Sequence, residues 1–272
     1  MTTLTLTRPL LMIGCGNMAG AMLEGWLAAG ADPRMITVVR PSGRPPAPGI
    51  RTLTALAEDE APALVLLGVK PQKLAEVAPA LAPALEPETI LVSILAGTTL
   101  ATLRTYFPTP RNVVKAMPNL PVSLGKGVIE LHTDGDADSA AKDEVERLMA
   151  ALGHSEWFED EGQFAIASAL TAAAPAFLYR FLDALAAAGE ALGLPADRSA
   201  RLAAVMAEGA AALAAGSAET PEQLARRVAS PGGTTEAGLA VLDSDEALRA
   251  LVANALAASR RRGTELASGL SA

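Results

Sequence analysis

The sequence predicts an α/β domain built on a parallel sheet, followed by an all-helical domain. Two observations support this prediction. From residue 10 to about residue 158, short aliphatic runs alternate with helical patterns, which is typical of repeated strand–helix–strand units. After residue 159 the pattern is almost continuously helical and rich in alanine. At 272 residues the chain has room for about two ordinary domains, which we place at residues 1–160 and 161–272.

Seven strands are predicted in the first domain, each a short run of β-branched or aliphatic residues bounded by turn-forming residues. They cover residues 10–13, 35–39, 64–69, 90–94, 113–117, 127–131 and 155–158. Crossover helices are expected to begin near Asn17, Lys73 and Leu100. A further helix over residues 139–152 is expected to begin with a serine cap at Ser139.

The second domain is predicted to consist of helices interrupted at residues 193–195, 216–221 and 230–233, where glycine, proline and serine occur. Aromatic residues make up only 3% of the chain, and small apolar side chains dominate its helical half, which favours tight contact between helices. Because so few large residues are available for a core, we expect this domain to complete its core against a second copy. The sequence therefore predicts a homo-oligomer.

Composition and charge exclude several classes of function. A net charge of −8 gives no electrostatic footprint for nucleic acid. The single cysteine cannot form an internal disulfide, and the first residues lack a secretory pattern, so we expect a soluble cytoplasmic protein. No continuous apolar run has the length of a membrane span. His132 and His154 are expected at the surface without metal-ligand spacing, so no metal site is predicted.

A glycine-rich turn, GCGNMA at residues 14–19, joins the first predicted strand to a helical pattern. In the dinucleotide-binding arrangement, the first glycine permits a tight turn and the second lets the backbone approach the pyrophosphate. A small third residue lets the helix pack on the strand, and the phosphates lie at the helix N-terminus. Gly14, Gly16 and Ala19 fit these roles, and Cys15 is interpreted as a small filler. The alternative is an ordinary glycine turn in an α/β sheet.

Arg40 and Ser42 follow the second predicted strand, where NAD enzymes place an acidic residue that binds the ribose hydroxyls. Arginine and serine can instead receive a 2′-phosphate, and no carboxylate is present there to repel it. The sequence therefore favours NADPH over NADH, with NADH left open as a second cofactor and a plain surface charge as the alternative interpretation of Arg40. Residues 40–48 contain four prolines and a glycine and are predicted to form a loop.

A second turn, at residues 228–239, joins two helical patterns in the predicted helical domain. Gly232 and Gly233 free the backbone to expose consecutive N–H groups, and Thr234, Thr235 and Glu236 begin the next helix in the manner of a cap. A helix N-terminus that bears hydroxyl groups can hold a carboxylate or a phosphate. A simple connection between two helices explains the same residues equally well.

Several stretches, spread over nearly the whole chain, resemble pyrroline-5-carboxylate reductases, the enzymes of the last step of proline synthesis. The stretches are IGCGNMA at 13–19, VKPQ at 69–72, SILAG at 93–97, MPN at 117–119, SPGGTT at 230–235, GL at 238–239 and LD at 242–243. The stretch at 230–235 is close to the family's signature, whereas the one at 13–19 is shared by many reductases.

The resemblance implies a Rossmann-type N-terminal domain, a helical C-terminal dimerisation domain and NAD(P)H-dependent reduction of 1-pyrroline-5-carboxylate to L-proline. It also implies homodimers, which in this family often assemble into larger rings. By position in the motifs, the residues along the cofactor are Gly14, Gly16, Asn17, Met18, Arg40, Ser42, Val69, Lys70, Pro71, Ala96 and Asn119. The residues that bind the substrate are Asn119, Gly232, Gly233, Thr234 and Thr235.

Reduction of a cyclic imine requires hydride from the nicotinamide, a protonated ring nitrogen and an anchor that holds the carbon at hydride distance. We expect the N–H groups of residues 233–235 and the Thr235 hydroxyl to bind the substrate carboxylate. Thr235, or a water bound to it, is expected near the ring nitrogen and is the one residue with a catalytic assignment. Because the imine can arrive protonated, no His, Cys or Asp is required.

The chain departs from the family at residues 172–177, where AAAPAF replaces a segment like GSGPAY. The loss of a serine hydroxyl and two glycines is expected to give a straighter helix and a less polar pocket wall, so substrate preference and turnover do not follow from the resemblance. Lys115 also stands where an arginine is frequent.

Two alternatives to the proline assignment stay open. One is a dinucleotide-binding sensor without turnover, which the altered segment at residues 172–177 would suit. The other is a related reductase of another imine or of a hydroxy acid. Hydroxy-acid enzymes of this kind usually need a lysine in the helical domain, and residues 161–216 contain none.

Overall fold

The computed structural model describes residues 4–57, 60–135 and 137–269, and the chain divides into two compact units. The first unit comprises the N-terminal part through Ala173 together with the chain from Ser259 onward, and the second comprises Ala174–Ala258. The units therefore divide inside the helical region. The domain boundary that the sequence places between residues 160 and 161 stays a prediction.

An eight-stranded sheet forms the centre of the first unit. The strands are β1 (Leu10–Ile13), β2 (Ile36–Val39), β3 (Arg51–Leu53), β4 (Leu64–Leu67), β5 (Ile90–Ser93), β6 (Asn112–Pro118), β7 (Gly127–Thr133) and β8 (Gly153–Phe158). Their order in the sheet is β3-β2-β1-β4-β5-β6-β7-β8, and every neighbouring pair is parallel except β6 and β7. The seven predicted strands are all present, but the predicted number is wrong because the sequence did not indicate β3.

β3 is a short edge strand that a search for apolar runs misses. It consists of three residues, Arg-Thr-Leu, and the side chain of Arg51 is exposed. It pairs only with β2, in the register that sets Thr37 beside Arg51. A strand at the edge of a sheet has fewer neighbours to pack against, so it carries no continuous apolar run.

The antiparallel step between β6 and β7 follows from a short connection. Only the eight residues 119–126 separate the two strands, which is too few for the crossover that a parallel pair requires. Close packing also requires a glycine at the start of β7, because a Cβ on Gly127 would lie 2.3 Å from Val122 Cγ1. The sheet that the sequence predicts as parallel is therefore mixed at this edge.

Five helices belong to the first unit. They are α1 (Asn17–Ala28), α2 (Leu74–Leu81), α3 (Leu100–Tyr106), α4 (Ser139–Ala150) and α5 (Glu161–Ala172). The first four begin within one residue of the predicted positions, but the predicted cap of α4 is wrong. The Asp138 carboxylate accepts a hydrogen bond from the Ala141 N–H at 2.6 Å, and Ser139 is the first helical residue. A carboxylate directly before the helix satisfies the exposed amide as well as a hydroxyl does.

The sheet is buried on both faces, which explains why β1 and β4 are continuously apolar. Leu10 and Met12 of β1 belong to one hydrophobic cluster, and Leu11 and Ile13 belong to the cluster on the other face. Trp26 of α1 is fully buried in the first cluster, and its ring N–H donates to a carbonyl of α4 at 2.8 Å. Packing from both sides fixes the strand ends on which the predicted cofactor site depends.

The remaining helices are α6 (Ala174–Ala191), α7 (Ala196–Gly216), α8 (Pro221–Val228), α9 (Thr234–Asp243) and α10 (Ala247–Gly269). The three predicted interruptions of the helical half are confirmed. α6 and α7 approach closely through small residues. The Ser199 hydroxyl donates to Ala186 O at 2.7 Å, and a Cβ on Gly189 would lie 2.3 Å from Ser199 Oγ. The predicted tight contact between helices is therefore present in this pair.

Large apolar side chains are exposed on the second unit. Phe181 is 45% exposed, Val205 63% and Leu251 67%. The helical stretch Glu161–Ala191 also has the length and mean hydropathy, 1.4 over 18 residues, of a membrane span, a criterion that rests on length and composition only. Ser168, Thr171 and Pro175 interrupt it, so it contains no continuous apolar run of that length. Exposed apolar surface of this kind is typical of proteins that associate.

Candidate dinucleotide and substrate sites

The glycine turn begins at the carboxyl end of β1. The Gly14 N–H donates to Val39 O of β2 at 2.8 Å, and the Gly68 N–H, after β4, donates to Ile13 O at 2.9 Å. Gly14 has a φ of +85°, and a Cβ on it would lie 2.8 Å from Val69 Cγ1. Backbone conformation and space therefore both require glycine at this position.

Gly16 has a different reason to be glycine. It is the N-cap residue of α1, it provides no side-chain cap, and a Cβ built on it meets no atom within 4 Å. The space beside it is open, and the first-turn N–H groups of α1 have no intrahelical acceptor. This arrangement fits a pyrophosphate that approaches the backbone at a helix N-terminus. Ala19 packs on Gly68, where a Cβ would lie 2.8 Å from the Ala19 Cβ, so the small third residue does let the helix approach the sheet.

The other predicted cofactor residues lie at the same edge of the sheet. The ends of β1, β2, β4 and β5 are in register, with Ile13 beside Val39 and Leu67, and Leu67 beside Ser93. Doubly wound sheets bind ligands at this edge, where the strand order reverses between β1 and β4. The predicted residues that follow these ends by five positions or fewer are Gly14, Gly16, Asn17, Met18, Arg40, Ser42, Val69, Lys70, Pro71 and Ala96.

The Arg40 guanidinium acts electrostatically on the glycine turn. Burial raises the pKa of the Cys15 thiol, and the positive charge of Arg40 opposes that rise without cancelling it. The thiol therefore stays neutral, which agrees with its interpretation as a filler, since the thiolate is the reactive form. Arg40 directly follows Val39, whose carbonyl accepts the Gly14 N–H, so a positive charge is carried next to the turn.

Asn119 follows β6 and is only 6% exposed. Its Oδ1 accepts a hydrogen bond from the Val128 N–H at 2.9 Å, and its Nδ2 donates to Thr171 O at 3.2 Å. The side-chain amide therefore joins the end of β6 to β7 and α5. Because both amide groups are engaged, the structure gives Asn119 a positioning role. The direct contacts predicted for it with cofactor and substrate stay predictions.

Pro175 explains why Thr171 needs that donor. Proline has no N–H, so Pro175 leaves the carbonyl four residues earlier, that of Thr171, without a helical partner. The helix is interrupted at Ala173, between α5 and α6. The straighter helix expected over residues 172–177 compares this chain with its family and stays a prediction. Replacement of two glycines by alanine leaves the proline in place, and the proline is sufficient to end α5.

Glu130 of β7 is a buried acid that the sequence analysis missed. It is 1% exposed, its Oε1 shares a hydrogen bond with the Thr171 hydroxyl, and its Oε2 has no partner within the described ranges. Burial raises the pKa of Glu130, and the Thr171 hydroxyl only partly opposes that rise. Glu130 lines a cavity of about 400 Å³ together with apolar residues that include Phe158, Ile166 and Leu170. An acid within an otherwise apolar strand was the available signal.

Lys115 and Glu161 form a partly buried ion pair that joins β6 to α5. Lys115 Nζ lies 2.7 Å from Glu161 Oε1 and 4.7 Å from the centroid of the Phe164 ring, and the Leu100 N–H donates to the same Oε1 at 3.3 Å. Burial favours a raised pKa for Glu161, but the hydrogen bond and charge of Lys115 outweigh it and bring the pKa below its usual value. The lysine at this family arginine position therefore stabilises the attachment of α5.

His132 is buried, so its predicted surface position is wrong. It is 5% exposed, its Nδ1 lies 2.8 Å from Phe158 O, and its ring centroid lies 5.7 Å from that of Phe164. The reason is that β7 lies between β6 and β8 and is covered by α5. His154 is exposed as expected. In the part of the chain that the structure describes, no three His, Cys, Asp or Glu side chains form a metal-binding group.

The second predicted site is the turn between α8 and α9, which belongs to the second unit. Gly232 has a φ of +71°, and its N–H donates to the Glu236 carboxylate at 2.6 Å. The Gly233 N–H donates to Ser230 O at 2.9 Å. Gly233 is the N-cap residue of α9 and provides no side-chain cap, so the predicted threonine cap is wrong. The hydrogen bond from the Gly233 N–H to Ser230 O ends the turn at Gly233, so Thr234 is already the first residue of the helix and cannot be its cap.

Thr234 and Thr235 are exposed residues in the first turn of α9. Amides in the first turn of a helix have no intrahelical acceptor, and the helix dipole makes this end favourable for an anion. Fewer backbone N–H groups are therefore free to bind an anion than the sequence predicts. The N–H groups of Gly232 and Gly233 form hydrogen bonds within the turn. The N–H groups of Thr234 and Thr235, in the first turn of α9, can donate to a ligand.

Family models and curated relatives match both parts of the chain. Residues 161–266 match the model described as pyrroline-5-carboxylate reductase dimerisation, and residues 10–97 match the model described as NADP oxidoreductase, coenzyme F420-dependent. The pyrroline-5-carboxylate reductase of Pseudomonas aeruginosa is 38% identical over 264 residues, which cover 95% of this chain and 96% of that protein. The pyrroline-5-carboxylate reductase of Pisum sativum is 33% identical, with coverage of 93% and 94%.

Solved structures agree with these relatives. A pyrroline-5-carboxylate reductase from Coxiella burnetii has a TM-score of 0.85 at 31% identity and covers 96% of this chain and 98% of its own. A pyrroline carboxylate reductase from Plasmodium falciparum with NADP bound shares the fold, with a TM-score of 0.86 at 23% identity and coverage of 97% and 99%. The chain belongs to the pyrroline-5-carboxylate reductase family.

Proposed function

We propose that this protein reduces 1-pyrroline-5-carboxylate to L-proline, the last step of proline synthesis. The observation that carries the proposal is 38% identity over 264 residues to a reductase named for that substrate. The open space beside Gly16 and the exposed threonines at the start of α9 support it. They supply contacts of the kind that a dinucleotide phosphate and a substrate carboxylate require.

NADPH is the proposed cofactor, with NADH as a second donor. The residues present fit a dinucleotide, because Gly14 makes the turn, Gly16 leaves space for the pyrophosphate and Arg40 places positive charge nearby. When bound, the cofactor supplies the hydride. We assign the pyrophosphate to Gly14, Gly16, Asn17 and Met18, the adenosine ribose to Arg40 and Ser42, and the remaining length to Val69, Lys70, Pro71 and Ala96.

The substrate carboxylate is proposed to bind the free N–H groups of Thr234 and Thr235, in the turn that Gly232 and Gly233 shape. The Thr235 hydroxyl is the proposed catalytic group, placed to hold the ring nitrogen in its protonated form directly or through a water. Asn119 contributes by positioning the end of α5. No other acid or base is required, because the substrate arrives as an iminium ion.

Assembly follows from the second half of the chain. A dimerisation domain matches residues 161–266, which supports both a homodimer or larger homo-oligomer and the domain division at residue 160. The exposed apolar side chains of the second unit provide surface for that association. We place the protein in the cytoplasm, without a nucleic-acid or membrane partner, in keeping with its single cysteine and net charge of −8.

Oxidation of NADPH in the presence of 1-pyrroline-5-carboxylate tests the proposal. The native chain is expected to consume NADPH and form proline. Thr235→Ala is expected to lower kcat/KM by about tenfold to a hundredfold, since a hydrogen bond to a charged substrate is lost. Thr264→Ala, which changes an exposed threonine of α10, is the matched control and should leave kcat/KM unchanged.

Two outcomes separate the competing interpretations. Binding of NADPH without its consumption would overturn the reductase proposal in favour of a dinucleotide-binding sensor. Unchanged turnover in Thr235→Ala would overturn only the assignment of Thr235 and would leave the reaction in place.

A further inference from the structure

The loop after β2 carries two arginines and a serine beside the glycine turn. Val39, the last residue of β2, accepts the hydrogen bond from the Gly14 N–H at 2.8 Å, and Arg40 follows it directly. The Arg40 N–H donates to Leu53 O of β3 at 2.9 Å, which fixes the base of the loop. The loop therefore begins at Arg40, one residue after Val39, which contacts the proposed phosphate-binding turn.

A tight turn fixes the backbone of this loop. The Gly43 N–H donates to Arg40 O at 3.0 Å, and Gly43 takes a φ of +60°, in the left-handed region that favours glycine. The Arg44 N–H points to Ser42 Oγ at 3.4 Å. Two prolines follow Arg44, and a residue before proline is restricted to extended conformations. The backbone at Arg40, Ser42 and Arg44 is therefore held in one defined arrangement.

The two arginines of the loop differ from the arginines on either side of them. Within the described ranges neither Arg40 nor Arg44 forms a salt bridge, whereas Arg34 and Arg51 are each paired with a carboxylate, at 2.7 Å and 3.1 Å. Two guanidinium groups left unpaired on one short loop are therefore available to an anionic ligand.

We propose that Arg44 is a second cation, beside Arg40, for the 2′-phosphate of NADPH, and that it determines the preference for NADPH over NADH. The inference rests on the proposed function, because it needs the dinucleotide at the glycine turn. A phosphate monoester carries a charge of about −1.5 to −2 at pH 7, so a second guanidinium neutralises charge that the first leaves. The ribose hydroxyl of NADH offers no such charge, and the Ser42 hydroxyl supplies a neutral donor.

Calorimetric binding of 2′,5′-ADP and of 5′-ADP to the full chain tests Arg44 without any dependence on turnover. Arg44→Gln is expected to weaken binding of 2′,5′-ADP by about tenfold and to change binding of 5′-ADP by less than about twofold. Arg34→Gln is the matched control. It removes the same charge at the other end of β2, from an exposed arginine that is paired with Asp32, and should leave both affinities unchanged.

The outcomes distinguish this inference from the proposed function. An unchanged affinity of Arg44→Gln for 2′,5′-ADP would overturn it. Equal weakening for both ligands, or equal weakening by both variants, would also overturn it, because either result shows a general charge effect. Failure of the native chain to bind either ligand would instead overturn the proposed cofactor site, and it appears before any substitution is made.

Discussion

The hydrogen-bonding groups around Thr171 and Glu130 favour one charge state of the Glu130 carboxyl group. Thr171 Oγ lies within hydrogen-bond distance of Glu130 Oε1 and, at 3.0 Å, of Ala167 O. One hydroxyl proton cannot serve both acceptors. A carboxylate at Glu130 therefore has at most the Thr171 hydroxyl as a donor, because its Oε2 has no partner within the described residues. This geometry and the raised pKa of Glu130 both favour the neutral acid.

Stability should depend on pH through Glu130. Because burial raises the pKa of Glu130 above its ordinary value of 4.5, the folded state holds the proton more tightly than the unfolded state. The free energy of unfolding therefore falls as pH rises from the ordinary value through the raised one. Glu130→Gln lacks this titration, so its stability relative to the native chain should increase as the pH rises from about 4.5, which urea denaturation over a series of pH values measures.

A control for this prediction is Glu88→Gln, which neutralises an exposed glutamate at the surface of the same unit. Its stability is measured over the same pH range, and a pH dependence equal to that of Glu130→Gln would show a general charge effect. A difference for Glu130→Gln that does not change with pH would contradict the assignment of Glu130 as the titrating group.

Residues whose roles depend on the local chain could be predicted from the sequence, and residues whose roles depend on distant partners could not. Gly14 and Gly16 sit between a strand and a helix, so the neighbouring residues indicate what each glycine permits. His132 and Glu130 are buried by α5, which begins about thirty residues later in the chain. The residues next to them in the sequence do not indicate that α5 covers them.

At the scale of elements, the break between α5 and α6 is stabilised from the sheet. Pro175 withdraws a donor from Thr171 O, and Asn119 supplies one from the end of β6 at 3.2 Å. A carbonyl freed by proline requires another partner when it is buried. The same asparagine accepts the Val128 N–H, so one side chain satisfies a strand amide and a helix carbonyl together.

A double-mutant cycle tests this arrangement. Asn119→Ala is expected to lower the free energy of unfolding by about 1 to 3 kcal/mol, because two buried backbone groups lose their partners. In the background of Pro175→Ala, which restores the N–H at position 175, the same substitution should cost about 1 kcal/mol less. Urea denaturation of the four proteins gives the coupling. Additive effects of the two substitutions would show that Pro175 does not create the need for Asn119.

Elements were predictable where one rule governs a whole run of residues. The four-residue strands β1 and β4 show this, because burial on both faces leaves only apolar residues. The short β3 was not predictable, since its contacts depend on β2 and not on its own composition. The direction of β7 could have been inferred, because the eight residues before it are too few for a crossover.

At the scale of the whole molecule, two observations indicate self-association. The second unit exposes large apolar side chains, and residues 161–266 match a dimerisation model. Because the helical half contains few large residues, self-association could be predicted from composition. The number of copies did not follow from it, because the same apolar surface can be covered in a dimer or in a ring.

Phe181→Glu is expected to weaken self-association by about tenfold or more, because it places a charge on an apolar surface that association would bury. Sedimentation velocity over a range of concentrations measures the change. Leu124→Glu is the control, since it replaces a side chain of the first unit that is 73% exposed. Dissociation caused by Leu124→Glu and not by Phe181→Glu would place the interface on the first unit.

The empty space beside Gly16 has a consequence for how this sequence can drift. A methyl group there meets nothing within 4 Å of the protein, so a screen for folding or solubility would accept alanine at that position. The proposed pyrophosphate site predicts that only a selection for growth that needs the cofactor would reject it. Mutations at Gly14 would be removed by both kinds of selection, since a side chain there is strained and collides with Val69. Under that proposal, two glycines two residues apart are required for different reasons, one set by the fold and one by a molecule that the gene does not encode.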